Sequence, residues 1–429
     1  MRQGCRIVGQ TQSEVTITTP SAQPTRFIAL DVHKHYIMVG AIDEEQCVVL
    51  RPRKLTLDQF AKWQQEQVKA TATDAIVIEA TGSAWHLYDQ LKARGATVVV
   101  ANPLLVKWIA SAPVKTDVHD TLKLAHLLAT RLLPTVWVPP MEVRALRMLV
   151  AQRQRLIRQR TRARNRLQSM LQCHNWTPPG GNLYGEGLRS WWETLPLTAV
   201  ERLLVSQDLL VLEQVAPLID QVEAQLALQS TCPPWADEAA YLMQQTGIGL
   251  QTAMTLFAAI GDIRRFDHPN QLVGYAGLGA RIHDSGQSHH TGGISKQGRR
   301  ELRTAMVEAA WSAVAHNAHW RSKFARYAQR HGEGKAIVAI ARQLLVSVWY
   351  LWHQTLVDRH GDSLTIARKF WTWAEQGGKA MRHGLSCSQF VRFQLDHLGI
   401  GQELGELRYG SHLYRLPPPG SVAALPAAS

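Results

Sequence analysis

Three absences bound what this sequence can encode. Its cysteines, Cys5, Cys47, Cys173, Cys232 and Cys387, are scattered and form no C-x-x-C pair. That argues against a structural zinc site or a disulfide framework and fits a reducing cytoplasm. No apolar run approaches the roughly 20 residues of a spanning helix, so no membrane segment is expected. The opening residues 1–25 have no apolar h-region and read as a polar tail, not a secretory signal. Acid is in short supply as well. Lys and Arg number 47 against 34 Asp and Glu, a net charge of +13. A surplus of this size favours a polyanionic partner. With nothing to support a membrane, that partner is nucleic acid.

What is present divides by composition. The 429 residues suffice for two or three domains with real cores. Residues 26–140 read as α/β. "RFIALDVHK", "HYIMVGAID" and "CVVLRPRKL" are three strands with short turns, an antiparallel meander. "LDQFAKWQQEQ" is helical, "DAIVIEA" a buried strand, "SAWHLYDQLKARG" a helix closed by Gly95, and "ATVVVANP" another strand. This order predicts a mixed sheet with helices on its faces. "VWVPP" marks a boundary. Residues 141–235 read as an arginine-rich helical or coiled-coil region, with Pro217 expected to kink its second helix. Residues 236–355 read as mostly helical with glycine-rich turns. Residues 356–429 have mixed helical signals and a Pro/Ala-rich end expected to be disordered.

Four acids in the first region stand where chemistry gathers. Asp31 closes the first strand and Glu79 the fourth, and neighbouring strand ends meet at one sheet edge. Asp117 and Asp120, in "KTDVHDTLKLAHLL", share one face at the mouth of a helix able to pack across that edge. Converging carboxylates need a counter-charge, and Mg2+ or Mn2+ supplies it through oxygen ligands. Beside a basic surface, such a site implies phosphodiester chemistry. The plainer reading is that Asp117 caps its helix, that Asp120 suits the helix dipole, and that Asp31 and Glu79 are solvated turn residues.

Other stretches carry weaker signals. "QTGIGLQTA" resembles a helix-hairpin-helix, in which Gly247 and Gly249 let a phosphate approach helix-terminal amides; a simple interhelix turn is the alternative. "HDSGQSHHTGGISKQGRRELR" reads as a flexible polar stretch. Ser285 there is a candidate nucleophile, with Lys296, Arg299, Arg300 and Arg303 as phosphate holders, unless it is only a surface turn. Residues 143–172 hold nine arginines and no acid. Arg153, Arg155, Arg158, Arg160, Arg162, Arg164 and Arg166 are therefore expected to lie along a nucleic-acid backbone, since a solvated face of like charge repels itself. Most of the 14 tryptophans are expected in cores, with Trp85, Trp191 and Trp192 as candidates for base stacking.

The order "IALDVHK", "IEATGSAWHLY", "ANPLLVK", "KTDVHDTLKLAHLLA", an arginine-rich helix, "TGIGLQTAMTLFAAIGDIRRF", "LVGYAGLGARIHDSGQS" and "GISKQGRRELRTAMVEAAW" resembles the DEDD-type insertion-sequence transposases, which include the bridge-RNA-guided recombinases. The resemblance spans about residues 26–355. It implies a RuvC-like (RNase H-like) domain whose acids, matching Asp31, Glu79, Asp117 and Asp120, bind Mg2+. It implies a C-terminal transposase domain with a catalytic serine, at the position of Ser285, that holds a DNA strand covalently. It further implies donor and target DNA, a structured guide RNA that chooses sequence by pairing, and a tetramer joined through the helical middle region. The 1–25 tail, the insert within 173–193 and residues 356–429 match no part of that pattern.

Three rivals use some of the same residues. A RuvC-like nuclease or junction resolvase would need the acids and not Ser285. A sugar-kinase or actin-like ATPase would leave the arginine helix unexplained, and its second phosphate loop and adenosine motif are not found. A non-catalytic nucleic-acid-binding protein would not need the acids for divalent-metal binding.

Overall fold

The computed structural model describes residues 24–67, 73–82, 84–109, 116–285 and 288–422, of which 108, 282–285 and 288–291 are described by backbone alone. The expected polar tail, up to residue 23, and the chain end from 423 lie outside the described residues. The chain divides between Pro139 and Pro140 into two compact units.

The first unit runs β1 (Arg26–Val32), β2 (Tyr36–Asp43), β3 (Val48–Thr56), α1 (Leu57–Gln67), β4 (Asp74–Glu79), α2 (Ala84–Ala93), β5 (Thr97–Ala101), α3 (Pro103–Ile109) and α4 (Asp117–Ala129). The strands lie in the order β3-β2-β1-β4-β5. β1, β2 and β3 form the expected antiparallel meander, and β4 and β5 join in parallel, making the sheet mixed. β1 and β4 are apolar at nearly every position because both faces of the sheet are covered. Side chains alternate across a strand. Ile28, Leu30, Ile76 and Ile78 pack with Phe60 and Trp63 of α1 and Leu87 and Leu91 of α2. Ala29, Ile42, Val77 and Ala101 pack with Leu124 and Ala125 of α4. The same alternation puts Asp31 and Glu79, two residues past Ala29 and Val77, on the α4 face.

α4 lies close to the sheet because Gly40 of β2 has no side chain. A Cβ there would stand 3.1 Å from Pro52 Cγ and 3.2 Å from the Cγ2 of Thr121 on α4. Thr121 is fully buried, and its hydroxyl donates to the Asp117 carbonyl at 2.7 Å. Thr116 is the N-cap of α4, accepting from the His119 amide, so the capping role considered for Asp117 belongs to its neighbour.

The second unit begins with a pair of long helices, α5 (Met141–Cys173) and α7 (Ala199–Gln229), separated by a loop and the short α6 (Arg189–Thr194). The pairs Arg153–Glu223, Arg166–Asp208 and His174–Glu201 show that they run antiparallel. Leu167, Leu171, Leu209 and Leu212 fill the seam with Trp192. Pro217 is accommodated inside α7. The insert that holds Trp191 and Trp192 folds onto the same seam, with Trp192 buried and its Nε1 donating to the Leu183 carbonyl at 3.0 Å.

Then follow α8 (Ala236–Met243), α9 (Leu250–Ile260), α10 (Pro269–Tyr275), the hairpin β6 (Ala280–Ser285) and β7 (Ser288–Ile294), α11 (Arg300–His316), α12 (Ala318–His331) and α13 (Glu333–His353). Here the structure corrects two expectations. Residues 280–294 are two paired strands, not a flexible polar stretch. Their His, Ser, Thr and Gly residues lack the apolar alternation that marks a half-buried strand. And α13, with 21 residues, is long and apolar enough by length and composition to cross a membrane. In this unit it is a central core helix, with Ile340, Ala341, Leu344, Leu345 and Val348 fully buried.

Residues 356–422 are packed structure. α14 (Ser363–Met381), α15 (Cys387–Leu398) and the hairpin β8 (Glu406–Tyr409) and β9 (His412–Arg415) complete the unit. They are held by Arg392, fully buried, which donates to the carbonyls of Gly401 at 3.0 Å, Pro417 at 2.8 Å and Leu404.

Candidate metal centre

β1 and β4 are parallel neighbours with Leu30 in register with Ile78. Asp31 and Glu79 are the next residue on each strand, so they stand side by side at one sheet end, on the face that α4 covers. α4 presents Asp117 and Asp120 in its first turn. The sheet end and the helix mouth thus bring together acids that lie far apart in the chain.

A ligand-like cluster forms among Asp31, His33 and Asp117, whose donor atoms all lie within 4.8 Å of one another. His33 Nε2 is 3.1 Å from Asp31 Oδ2 and 3.7 Å from Asp117 Oδ2. Tyr36 donates its hydroxyl proton to Asp117 Oδ2 at 3.1 Å, its ring stacks on His33 at 4.4 Å, and the Lys54 ammonium sits 3.7 Å above that ring. Asp120 is paired with Lys123 at 3.3 Å. Glu79 is half-buried and has an interaction of its own.

The electrostatics fit a cation. Burial pushes the Asp31 carboxyl above the usual range; His33 opposes this, and Asp117 and Asp120 add to it. A carboxylate that is 8% exposed and faces two further acids is short of positive charge. Two carboxylates and one imidazole form a donor set that could hold a divalent metal ion.

His33 and Tyr36 were not singled out from sequence. The signal was present in "LDVHKHY": Asp31 and His33 are two apart in extended chain and therefore share a face.

Ser285 lies in the other unit. It is the last residue of β6, in register with Ser288 of β7. The bases near it divide into two kinds. Arg303 donates to the carbonyls of Ala276 at 3.0 Å and Lys296 at 3.2 Å, and Arg299 donates to Tyr275 Oη at 3.1 Å and pairs with Glu301 at 2.9 Å. These two fasten the hairpin base, whereas Lys296 and Arg300 are exposed.

The arginine helix divides likewise. Arg166 grips Asp208 through two nitrogens, Arg153 pairs with Glu223, Arg155 donates to Gln152 at 2.6 Å, and the Arg164 guanidinium lies 5.0 Å from the Tyr184 ring. Arg158 and Arg162 are exposed and Arg160 is half-buried. Of the two glycines, Gly247 has φ +90°, and a Cβ would stand 2.2 Å from the Ala309 carbonyl oxygen, so it serves close packing on α11. Gly249 begins α9, exposed, with open space where a Cβ would be.

Residues 28–175 match the DEDD transposase family of IS110, and residues 239–325 match the family described as "Transposase IS116/IS110/IS902 family". The chain is 25% identical over 346 residues to the transposase for insertion sequence element IS1111A of Coxiella burnetii, covering 77% of this chain and 90% of that protein. It is 27% identical over 346 residues to a probable family 20 transposase of Pseudomonas aeruginosa, covering 78% and 98%. It is 28% identical over 297 residues to the pilin gene-inverting protein of Moraxella bovis, covering 67% and 82%. These two matches, the first running from the acid-bearing unit through α5 and the second lying within the helical unit, place the chain in the IS110/IS116 family of transposases.

Proposed function

We propose that the protein is an insertion-sequence transposase that cuts and rejoins DNA strands. In this reading Asp31, Glu79, Asp117 and Asp120 hold Mg2+ or Mn2+ on a RuvC-like domain, and Ser285 is the nucleophile. The observation that carries it is the meeting of Asp31 and Asp117 beside His33, in a chain of this family. A gene-inverting relative supports recombination as the reaction class.

The cation, when bound, polarises a phosphodiester oxygen and offsets charge developing at phosphorus. His33 orients the Asp31 carboxylate, and Tyr36 orients that of Asp117. The bond between Ser285 Oγ and phosphorus forms as a bond from phosphorus to a sugar oxygen breaks; the serine loses a proton and the freed oxygen takes one up. Strand rejoining is the reverse, with a new sugar hydroxyl as attacker. Arg158, Arg160, Arg162, Lys296 and Arg300, with the Gly249 amide, contact phosphates.

The partners in this reading are donor and target DNA, a structured bridge RNA that selects sequence, and further copies of the chain in a tetramer. Val200, Leu203, Leu204 and Leu210 are exposed along α7 and offer an apolar seam for such copies. The functional segments are 26–140 for the acids, 141–235 for assembly and 236–355 for the serine, in a protein acting in the cytoplasm.

The test is a denaturing gel of the protein incubated with Mg2+, its copurifying RNA and end-labelled DNA. The expected result is a label-bearing protein band that disappears in Ser285→Ala and in Asp31→Ala. No such band from the wild-type chain would overturn the serine mechanism. Cutting that survives Ser285→Ala and fails in Asp31→Ala would instead establish a RuvC-like nuclease.

A further inference from the structure

The sequence points to four acids at one sheet end, yet the donor atoms that gather there belong to Asp31, His33 and Asp117. Glu79 and Asp120 stand outside this group. The imidazole is its unexpected member, and several contacts fix where that imidazole sits.

His33 follows β1 directly. Its amide donates to the Tyr36 carbonyl at 3.0 Å, closing the turn into β2. Its ring stacks on the Tyr36 ring at 4.4 Å and 24°. The Tyr36 hydroxyl is in turn tied to Asp117 Oδ2, and the Lys54 ammonium sits over the Tyr36 ring. One tyrosine therefore holds both the imidazole and the Asp117 carboxylate. In this setting Nε2 faces two acids, Asp31 Oδ2 at 3.1 Å and Asp117 Oδ2 at 3.7 Å.

Two roles suit a histidine so placed. As a counter-charge it would pair with Asp31 and leave the ion to the carboxylates. As a donor it would share the ion with them. A permanent counter-charge is the work of a lysine, as Lys123 does for Asp120; an imidazole also offers a lone pair. The spacing favours the second role. An ion with bonds of about 2.0–2.2 Å at right angles holds neighbouring donors roughly 3 Å apart. Nε2 and Asp31 Oδ2 have that separation. Asp117 Oδ2 stands wider, on an exposed side chain, which leaves an open side for water or a phosphodiester oxygen.

A nitrogen donor changes which ion fits. Mg2+ is served by oxygen ligands in a near-ideal octahedron. First-row transition-metal ions accept a mixed set of carboxylate and imidazole, with affinity rising from Mn2+ to Co2+. We propose that His33 Nε2 is a direct ligand of the ion held by Asp31 and Asp117, and that this nitrogen makes the centre select a first-row transition-metal ion such as Mn2+ over Mg2+. The inference rests on the metal-centre reading above, and it turns His33 from a group that orients a carboxylate into one that binds the ion.

Electron spin-echo spectroscopy of Mn2+ on the full chain reads the bond itself, and titration calorimetry with Mn2+, Co2+ and Mg2+ reads the preference. The wild-type chain should show modulation from a directly bound nitrogen, and His33→Ala should lack it. Loss of the ligand should lower Mn2+ affinity at least about tenfold and Co2+ affinity more, while Mg2+ affinity changes less than about threefold. His33→Gln, whose amide oxygen can take the place of Nε2, should bind Mn2+ without the nitrogen modulation and with the preference over Mg2+ reduced. Melting curves in EDTA check that both variants fold. Bound Mn2+ without nitrogen modulation in the wild-type chain, the same modulation in His33→Ala, or equal losses of Mn2+ and Mg2+ affinity in that variant would overturn the proposal and leave the acids as the metal site. Absence of any Mn2+ binding that Asp31→Ala removes would overturn the metal-centre reading, and this proposal with it.

Discussion

The Cβ that Gly40 lacks would stand 3.2 Å from Thr121 Cγ2, so the position of α4 over the sheet is set by a missing side chain. The Asp117 carboxylate rides on that helix, one turn before Thr121. Gly40→Val adds two methyl groups beyond the Cβ in a space already tight for one carbon. Overpacking of this kind costs about 1–3 kcal/mol. The expected outcome is a folded, less stable chain whose Mn2+ affinity falls at least tenfold, because Asp117 is pushed from Asp31. Isothermal titration with Mn2+ and thermal melts check both. Unchanged Mn2+ affinity in a variant with a lowered melting temperature would show that α4 does not position the site.

Asp31 gives a pH dependence with a definite sign. Its carboxyl is raised in the folded protein, by burial first. A raised acid favours the fold at pH below its unfolded value and loses that contribution as pH rises through the folded value. At neutral pH, without a divalent cation, ionised Asp31 therefore works against stability, and a cation takes the place of the proton. Asp31→Asn is expected to raise the melting temperature in EDTA by about 2–4 °C, as for a gain near 1 kcal/mol. It should also abolish the upward shift that Mn2+ gives the parent. In the parent, Mn2+ affinity should decline on acidification at a higher pH than an ordinary carboxylate would set. Melting curves in EDTA and in Mn2+ across pH 4–8 decide this.

How much was legible from sequence follows from which forces act locally. β1, β4 and the meander are evident in "FIALDV" and "DAIVIE", because strands buried on both faces must be apolar at successive positions. Asp31 and Glu79 stand out because each is an acid at or next to the end of such a strand, and Asp117 because it opens α4. Side-chain geometry was not legible. That Arg166 is committed to Asp208, and Arg303 to two carbonyls, depends on partners 42 and up to 27 residues away. Charge counting treats all arginines alike. The hairpin at 280–294 was hidden for another reason: its pairing rests on backbone hydrogen bonds, which leave no apolar alternation in "ARIHDS" or "SHHTGGI".

The committed and exposed arginines of α5 should separate by experiment. Asp208 is 9% exposed and is held by Arg166. Arg166→Ala leaves that carboxylate without its cation and is expected to cost about 2 kcal/mol, between the values for exposed and buried pairs. Arg158→Ala and Arg162→Ala touch no such partner and should leave stability within about 0.5 kcal/mol. Each of these two should instead reduce the salt slope of duplex binding by about 1. Urea melts and binding titrations at several salt concentrations separate the two classes. A salt slope unchanged in both Arg158→Ala and Arg162→Ala would remove α5 from the nucleic-acid surface.

Lys369 on α14 offers the last test, far in sequence from the acids. Its ammonium is enclosed and donates to the carbonyl of Gln245 at 2.7 Å and to that of Met243, closing the end of α8 just before the Gly247 turn. Burial lowers its pKa from 10.5 to about 7, with Asp358 opposing. Between those two values the unfolded chain holds a proton that the folded chain has released, so stability from this group rises with pH across about 7–10. Lys369→Met keeps the stem and removes the titration. Its stability should lack that climb, with the two curves converging toward the alkaline end if the Met side chain packs as the neutral lysine stem does. Urea midpoints at half-unit pH steps measure the slope, and a parent curve that runs parallel to that of Lys369→Met from pH 7 to 10 would show that the amine keeps its proton throughout.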